Sequence, residues 1–224
     1  MKGKFTICLS AFVLILAYLI TGSGCINIDN PVVQPVDYRS SAKFVNLKTG
    51  ATIKVNVDGT DKVASLAFGE ATSYFDLPAG SRVFAFGAGD SVRRTLESEK
   101  KYSVFYVGKG SDSVLFAVER NTFDEPYPSG KALVRFLHLS PNLGTAKVIV
   151  NFAGKDSVFS SVPFKGGTPY LEISSFPDTV KYTVISGSDT LVKGWDSGIT
   201  GPGRYSVVVY GLKTDLQKKL FKED

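Results

Sequence analysis

Between Thr52 and Val57 the chain alternates, with Ile53, Val55 and Val57 apolar and Lys54 and Asn56 polar. A period of two marks a strand with one buried face. Asp58-Gly59 follows, and glycine's tolerance of positive φ makes that pair a hairpin turn. The same pattern predicts short strands near Ala42–Leu47, Lys62–Leu66, Thr72–Leu77, Arg82–Phe86, Val92–Leu96, Tyr102–Val107 and Val114–Glu119. Seven or eight short strands separated by turns predict a β-sandwich.

The pattern then returns. Lys101–Gly108, Lys-Tyr-Ser-Val-Phe-Tyr-Val-Gly, comes back as Arg204–Gly211, Arg-Tyr-Ser-Val-Val-Val-Tyr-Gly. Phe44 and Leu47 return as Phe136 and Leu139, Gly59 as Gly154, Phe68 as Phe164, and Thr72–Leu77 as Thr168–Ile173. Apolar matches survive while spacings drift, because core positions must keep their volume and loops lengthen at little entropic cost. The expected organisation is one sandwich over residues 41–122 and a second over 131–224, joined by the polar, Pro-containing stretch 123–130. Composition agrees: 16 Phe and 10 Tyr with 22 Gly in 224 residues favour strands and tight turns, so the expected class is all-β. Gly87-Ala88-Gly89, Gly108-Lys109-Gly110 and Gly166-Gly167 lack the Gly-Lys-Ser/Thr ending of a phosphate loop and read as hairpin tips.

Ahead of the repeats, residues 1–24 run from Lys2 and Lys4 through an apolar stretch, Phe5–Ile20, to the small residues Gly22, Ser23 and Gly24. That is the order of an export signal, predicted as an N-terminal signal helix. Cys25 follows at once, and the segment is similar to a bacterial lipoprotein box, which implies an acylated Cys25 at the mature terminus. Cys8 leaves with the signal, so no intramolecular disulfide is available. Residues 25–40, with Pro31 and Pro35, read as a tether. The expected partner is therefore a membrane, reached through the lipid, with the protein in the cell envelope as an outer-membrane lipoprotein on its periplasmic or surface face. Removing Lys2 and Lys4 leaves 24 basic residues against 21 acidic, a net of +3, which argues against nucleic acid. The basic group Lys213, Lys218, Lys219 and Lys222 is diluted by acids and reads as a solvated terminal segment.

The run Val134-Arg135-Phe136-Leu137-His138-Leu139-Ser140-Pro141, with Gly154, Pro163-Phe164, Thr168-Pro169-Tyr170-Leu171 and the late Tyr-Ser-Val-Val-Val-Tyr-Gly strand, resembles the domain of unknown function 4397 (DUF4397). That family is found in exported bacterial proteins and lipoproteins, often as tandem copies, and the loose box ahead of Cys25 is similar to those of Bacteroidota lipoproteins. The resemblance implies two tandem immunoglobulin-like β-sandwich domains and brings no catalytic residue. The first repeat departs from the motif, having Asn46-Leu47-Lys48-Thr49 in place of His-Leu-Ser-Pro.

Chemistry is sparse. His138 and Ser140 invite a base-and-nucleophile reading, but no third group orients the imidazole, and a structural role at the turn near Pro141-Asn142 is expected instead. One histidine and one acylated cysteine do not make a zinc shell, and Asp112, Asp156 and Asp189 lack the dense spacing of a calcium loop. No catalytic residue, metal or cofactor is expected. Five triplets of Asp, Ser or Thr, then an aliphatic residue are similar to the acceptor motif for O-glycosylation of exported proteins in the Bacteroidota, which implies Ser91, Ser113, Ser157, Thr179 and Thr190 as candidates at exposed tips; turn chemistry produces the same triplet unaided. Trp195 is the candidate ligand contact. The expected function is a structural or adhesive binding role at the envelope without catalysis, toward a protein or glycan partner. The alternative is a glycan-binding accessory lipoprotein of a polysaccharide-uptake system.

Overall fold

Among the described residues the alternating segments form sixteen strands in four sheets. The computed structural model describes residues 38–108, 113–118, 130–173 and 179–223. The first eight strands are β1 (Arg39–Asn46), β2 (Ile53–Val57), β3 (Thr60–Leu66), β4 (Phe75–Pro78), β5 (Gly80–Phe86), β6 (Asp90–Leu96), β7 (Lys101–Tyr106) and β8 (Val114–Val118). The second eight are β9 (Ala132–Leu139), β10 (Ala146–Phe152), β11 (Lys155–Val162), β12 (Leu171–Ile173), β13 (Lys181–Ser186), β14 (Asp189–Asp196), β15 (Gly203–Leu212) and β16 (Asp215–Lys222). Residues 1–37 lie outside the described residues, and so do the export signal, Cys25 and all of the tether but its last three positions. The expected linker lies outside them too, apart from Gly130.

One topology occurs twice. The first half has sheets ordered β4-β1-β7-β8 and β3-β2-β5-β6; the second has β12-β9-β15-β16 and β11-β10-β13-β14. In each half one strand pair is parallel, β1 with β7 and β9 with β15, and the remaining pairs are antiparallel. Alternation decides which side chains meet. Phe44, Val55, Phe84, Phe86, Val104 and Tyr106 fill the space between the two sheets of the first half; Phe136, Val148, Val150, Tyr182, Val207 and Val209 fill the second. Each half is thus a two-sheet sandwich, and the protein is all-β in its described residues.

The turns follow the sequence closely. Asp58 and Gly59 both have positive φ, 51° and 82°, as do Ala153 and Gly154, 50° and 73°, which is the twist-matched hairpin geometry the Asp-Gly pair predicts. A less obvious pair of threonines closes each sandwich. Thr72 Oγ1 accepts from Phe44 N at 3.0 Å while Thr72 N donates to Phe44 O at 2.9 Å; Thr168 and Phe136 repeat both bonds at the same distances. Gly166-Gly167 is not a hairpin tip. A Cβ at Gly167 would sit 2.7 Å from both Leu137 Cδ2 and Phe136 O, so this glycine is required where the backbone crosses close over β9.

The sandwiches do not hang as separate beads. The sheets carrying β1 and β9 press together through a third core that includes Val45, Leu47, Phe105, Leu137, Leu139, Val208, Tyr210 and Phe221. Residues 37–224 accordingly form one compact unit. Since β1, β7, β9 and β15 are covered on both faces, their later residues lose the alternation of a half-buried strand, as in Val207-Val208-Val209-Tyr210. The lysine-rich segment after Lys213 corrects an expectation: it is the regular strand β16. Phe221 on it is buried edge-to-face on Phe105 at 5.9 Å, and Lys219 Nζ donates to Gly69 O of the first half at 2.6 Å, although Lys218, Lys219 and Lys222 are exposed overall.

Phe105 lies wholly in this shared core. Phe105→Ala is expected to reduce stability by about 3–5 kcal/mol. Urea denaturation should still show one transition, because each sandwich uses the other as part of its core; two resolved transitions would show that the interface contributes little.

Candidate functional site

The interface between the sandwiches changes character along its length. On the faces that meet, β1 presents Lys43 and then Val45, and Leu47 follows the strand; β7 presents Ser103 and then Phe105, followed by Val107. Similarly β9 gives Arg135, Leu137 and Leu139, and β15 gives Ser206, Val208 and Tyr210. Four strands therefore start polar and finish apolar, all in the same direction.

At the polar end Glu223 is the common partner. It is only 2% exposed, and Arg135 Nη2 lies 2.7 Å from its Oε1. Ser206 Oγ donates to the same oxygen, Tyr170 OH donates to Oε2, and Tyr74 OH donates to the Glu223 carbonyl. Lys43 Nζ donates to Lys222 O at 2.8 Å and stands 4.9 Å from the centre of the Tyr74 ring; Arg135 stands 5.0 Å from the centre of the Tyr170 ring. Tyr74 and Tyr170 are matching positions of the two halves, so one carboxylate and its backbone hold both. Such a network is stabilising when complete, and removing one partner leaves buried polar groups at about 1–3 kcal/mol each.

The opposite end is open. There the strand ends leave a cleft of about 400 Å³, lined by equivalent residues of the two halves: Leu47 and Leu139, Thr49 and Pro141, Gly108 and Gly211. Leu212, 47% exposed, stands at its rim, and Lys48 is the one charged lining residue among the described residues. Lys48 Nζ is 3.4 Å from Tyr106 OH, which in turn donates to Asp90. Burial first and the Asp90 carboxylate second hold that phenol protonated far above its ordinary range. Gly108, at φ 70°, is needed on two grounds, since a Cβ there would lie 2.5 Å from Lys48 Cγ.

His138 and Ser140 brace the turn beside this cleft. The ring is fully buried; Nε2 lies 2.7 Å from Gly144 O and Nδ1 accepts from Ser140 N at 3.3 Å, which fixes the Nε2-protonated tautomer. Ser140 Oγ donates to Gly211 O at 2.7 Å. Neither side chain is aimed at the other. The first half does the same with a different residue: Asn46 Oδ1 accepts from Lys48 N at 3.0 Å, and Asn46 Nδ2 donates to Ala51 O at 2.7 Å. The departure from the His-Leu-Ser-Pro motif therefore exchanges one turn brace for another.

The remaining candidates are dispersed. Ser91, Thr179 and Thr190 are exposed and Ser157 is half-buried, whereas Ser113 is 4% exposed. The expectation of an exposed tip is corrected at Ser113, whose carbonyl accepts from Val107 N at 2.7 Å and ties the start of β8 to the end of β7. Trp195 is half-buried against the second core, 6.1 Å from Tyr182 ring to ring, with Lys218 Nζ 6.0 Å above it; it caps an edge of the sandwich and forms no aromatic platform with an exposed tyrosine among the described residues. Asp189 pairs with Lys213 at 2.8 Å and Asp156 accepts from Asn151 at 2.7 Å, while Asp112 lies outside the described residues. Among the described residues no three metal-ligating side chains gather. Sequence reasoning missed Glu223, Arg135, Tyr74 and Tyr170 as one group. The available signal was charge at alternate positions of strands otherwise apolar on both faces.

Residues 40–149 match the family model described as "Domain of unknown function (DUF4397)". The match covers the first half, the copy that departs from the His-Leu-Ser-Pro motif, and continues to β10 of the second. No curated protein matches the sequence. Among solved structures, the Bacillus anthracis TIE protein is similar over 81% of this chain at 12% identity and a TM-score of 0.26, and the chain spans 34% of that protein's length.

Burial holds the His138 imidazole neutral by lowering its pKa, a shift only partly opposed by the Gly144 hydrogen bond. An unfolded histidine titrates near about 6.5. The stability that comes from the neutral ring is complete above that pH and is lost as pH falls below it, with a limiting slope of about 1.4 kcal/mol per pH unit. His138→Asn, copying Asn46, should lose this component. Denaturation midpoints of the two proteins between pH 7 and 5 should converge as pH falls; parallel curves would show that the ring is not buried neutral.

Proposed function

We propose that this chain is a lipid-anchored protein of the cell envelope, acylated at Cys25, whose paired sandwiches present a binding surface in a structural or adhesive role without catalysis. The observation that carries the binding role is the cleft at the apolar end of a locked interface. Among the described residues its lining includes no carboxylate, histidine or cysteine, and it is walled by matching leucines and glycines of the two halves. Apolar concavities with few polar groups are where proteins hold ligands or partner side chains. The nearby His138 and Ser140 are taken up by backbone partners, which leaves them a bracing role.

The anchoring half of the proposal rests on Gly22-Ser23-Gly24-Cys25 after the apolar run Phe5–Ile20, and on the lone cysteine left once that run is removed. The second half is read as a further copy of the family domain in a Bacteroidota-like lipoprotein. Support comes from the repeated strand order and the matched Thr72 and Thr168 bonds.

Growing cells on an alkyne fatty acid should label the wild-type protein and leave Cys25→Ser unlabelled, with the variant moving from the detergent phase to the aqueous phase. Equal labelling of both proteins, or of neither, would overturn the anchor. For the binding role, the wild-type protein cross-linked on intact cells should capture a partner that is lost in Leu212→Asp, a change at the exposed rim of the cleft. Thr49→Trp, which fills the cleft from the other half, should lose it too, with the unfolding midpoint unchanged in both. Capture unchanged in both variants would place binding elsewhere.

A further inference from the structure

Lys54, Arg82, Lys131, Arg135 and Lys213 each meet a carboxylate within 3.0 Å. Lys48, at the cleft, does not. Among the described residues its ammonium meets a neutral phenol instead: Nζ lies 3.4 Å from Tyr106 OH and 5.6 Å from the centre of that ring. The phenol has one proton and gives it to Asp90, so toward Lys48 it offers only oxygen lone pairs. One of three ammonium donors is taken by this long bond, and the charge is left without an anion.

The side chain is also held in place. It is half-buried, and its stem runs against Gly108, where a Cβ would lie 2.5 Å from Cγ and 2.6 Å from Cδ. Its rotamer freedom is therefore already lost in the free protein, and a ligand that reaches the ammonium does not have to supply that ordering. The second half contributes differently. The position matching Lys48 is Ser140, whose hydroxyl is spent on Gly211 O. Two residues on, Asn142 lines the cleft with its Oδ1 accepting from Lys213 N at 2.9 Å. That bond fixes which end of the amide is which, and leaves Nδ2, a donor, with no partner among the described residues. Opposite halves thus bring a cation and an amide donor to one cleft whose other side chains, Thr49 apart, are apolar.

We propose, on the reading of this cleft as the binding site, that its occupant is a small monoanionic amphiphile: an apolar chain lying between the leucines of the two halves and ending in a carboxylate at Lys48. Charge selects the head. One cation without an acid matches one negative charge, whereas a dianion such as a phosphate monoester would enter half compensated. The two oxygens of a carboxylate can accept from the ammonium and from an amide N–H at once. The walls select the tail. An acyl chain brings no polar group to Leu47, Val107, Leu139 and Leu212, while a peptide brings an N–H and a C=O with every residue, each costly when left unpaired. The volume, about 400 Å³, is that of a small-ligand site.

Octanoate, octanol and octyltrimethylammonium share a chain and differ in the charge of the head. Titration calorimetry on the full chain carrying Cys25→Ser, which removes the need for detergent, should rank octanoate first at neutral pH. The expected margin over octanol is about 10–100-fold, the worth of one charge-assisted hydrogen bond, with octyltrimethylammonium weakest. Lys48→Gln should bring octanoate down to the octanol level and leave octanol unchanged, which shows the cleft intact. Thr49→Trp, which fills the cleft, should lose both. Equal affinity for octanoate and octanol, a preference that survives Lys48→Gln, binding that survives Thr49→Trp, or no saturable binding of any of the three would each overturn the proposal. In the last case the capture experiment on cells separates the two readings: capture still lost in Leu212→Asp would mean that the cleft binds and that a carboxylate amphiphile is not what it holds.

Discussion

The burial of one inner sheet against the other is the constraint on which this molecule turns. A single sandwich of about ninety residues can close a core of its own, but here the face of β1 and β7 that points away from the first core is apolar over its later half, and so is that of β9 and β15. Left in water, those faces would be large apolar patches of the kind that drive association. Packed together, they make a third core. It converts two repeated units into a four-layer stack in which each sandwich supplies part of the interior of the other.

That contact also explains where the polar groups went. Lys43, Arg135, Ser103 and Ser206 lie in the same interface and are buried, yet they cluster at one end, where Glu223 and two tyrosines meet them. A buried carboxylate is tolerated only with partners on all sides. The halves are alike in topology, and among the described residues the carboxylate of this network is Glu223 of the second half. The turn braces also vary between the halves: His138 and Asn46 have different chemistry but satisfy corresponding backbone groups, so the repeat keeps the bonds and not the residue.

Much of the sandwich was legible in the sequence because it rests on local rules. Period-two alternation located Thr52–Val57, the Asp-Gly pair located its hairpin, and the return of Thr72–Leu77 as Thr168–Ile173 located the closing segment. What was not legible depends on pairs far apart in the chain. The lysines of β16 looked solvated because nothing near them reveals that Phe221 between them reaches Phe105, and Gly166-Gly167 looked like a tip because its neighbour across space is Leu137. Ser113 illustrates the same limit: Asp-Ser-Val reads as an exposed turn until the bond to Val107 N is seen. The cleft was invisible for the simplest reason, being made of the ends of four strands that the sequence separates by up to 165 positions, from Leu47 to Leu212.

The common direction of β1, β7, β9 and β15 gives the stack a polarity. The chain comes into the fold at Tyr38, beside the start of β1, and the cleft opens just past the end of that strand. Eight residues of strand separate these poles by on the order of 25 Å. Anything that tugs on the segment before Tyr38 therefore loads the stack lengthwise, along strands whose hydrogen bonds must shear side by side instead of unzipping one at a time. The concavity sits at the far pole, as a grip does at the end of a taut line.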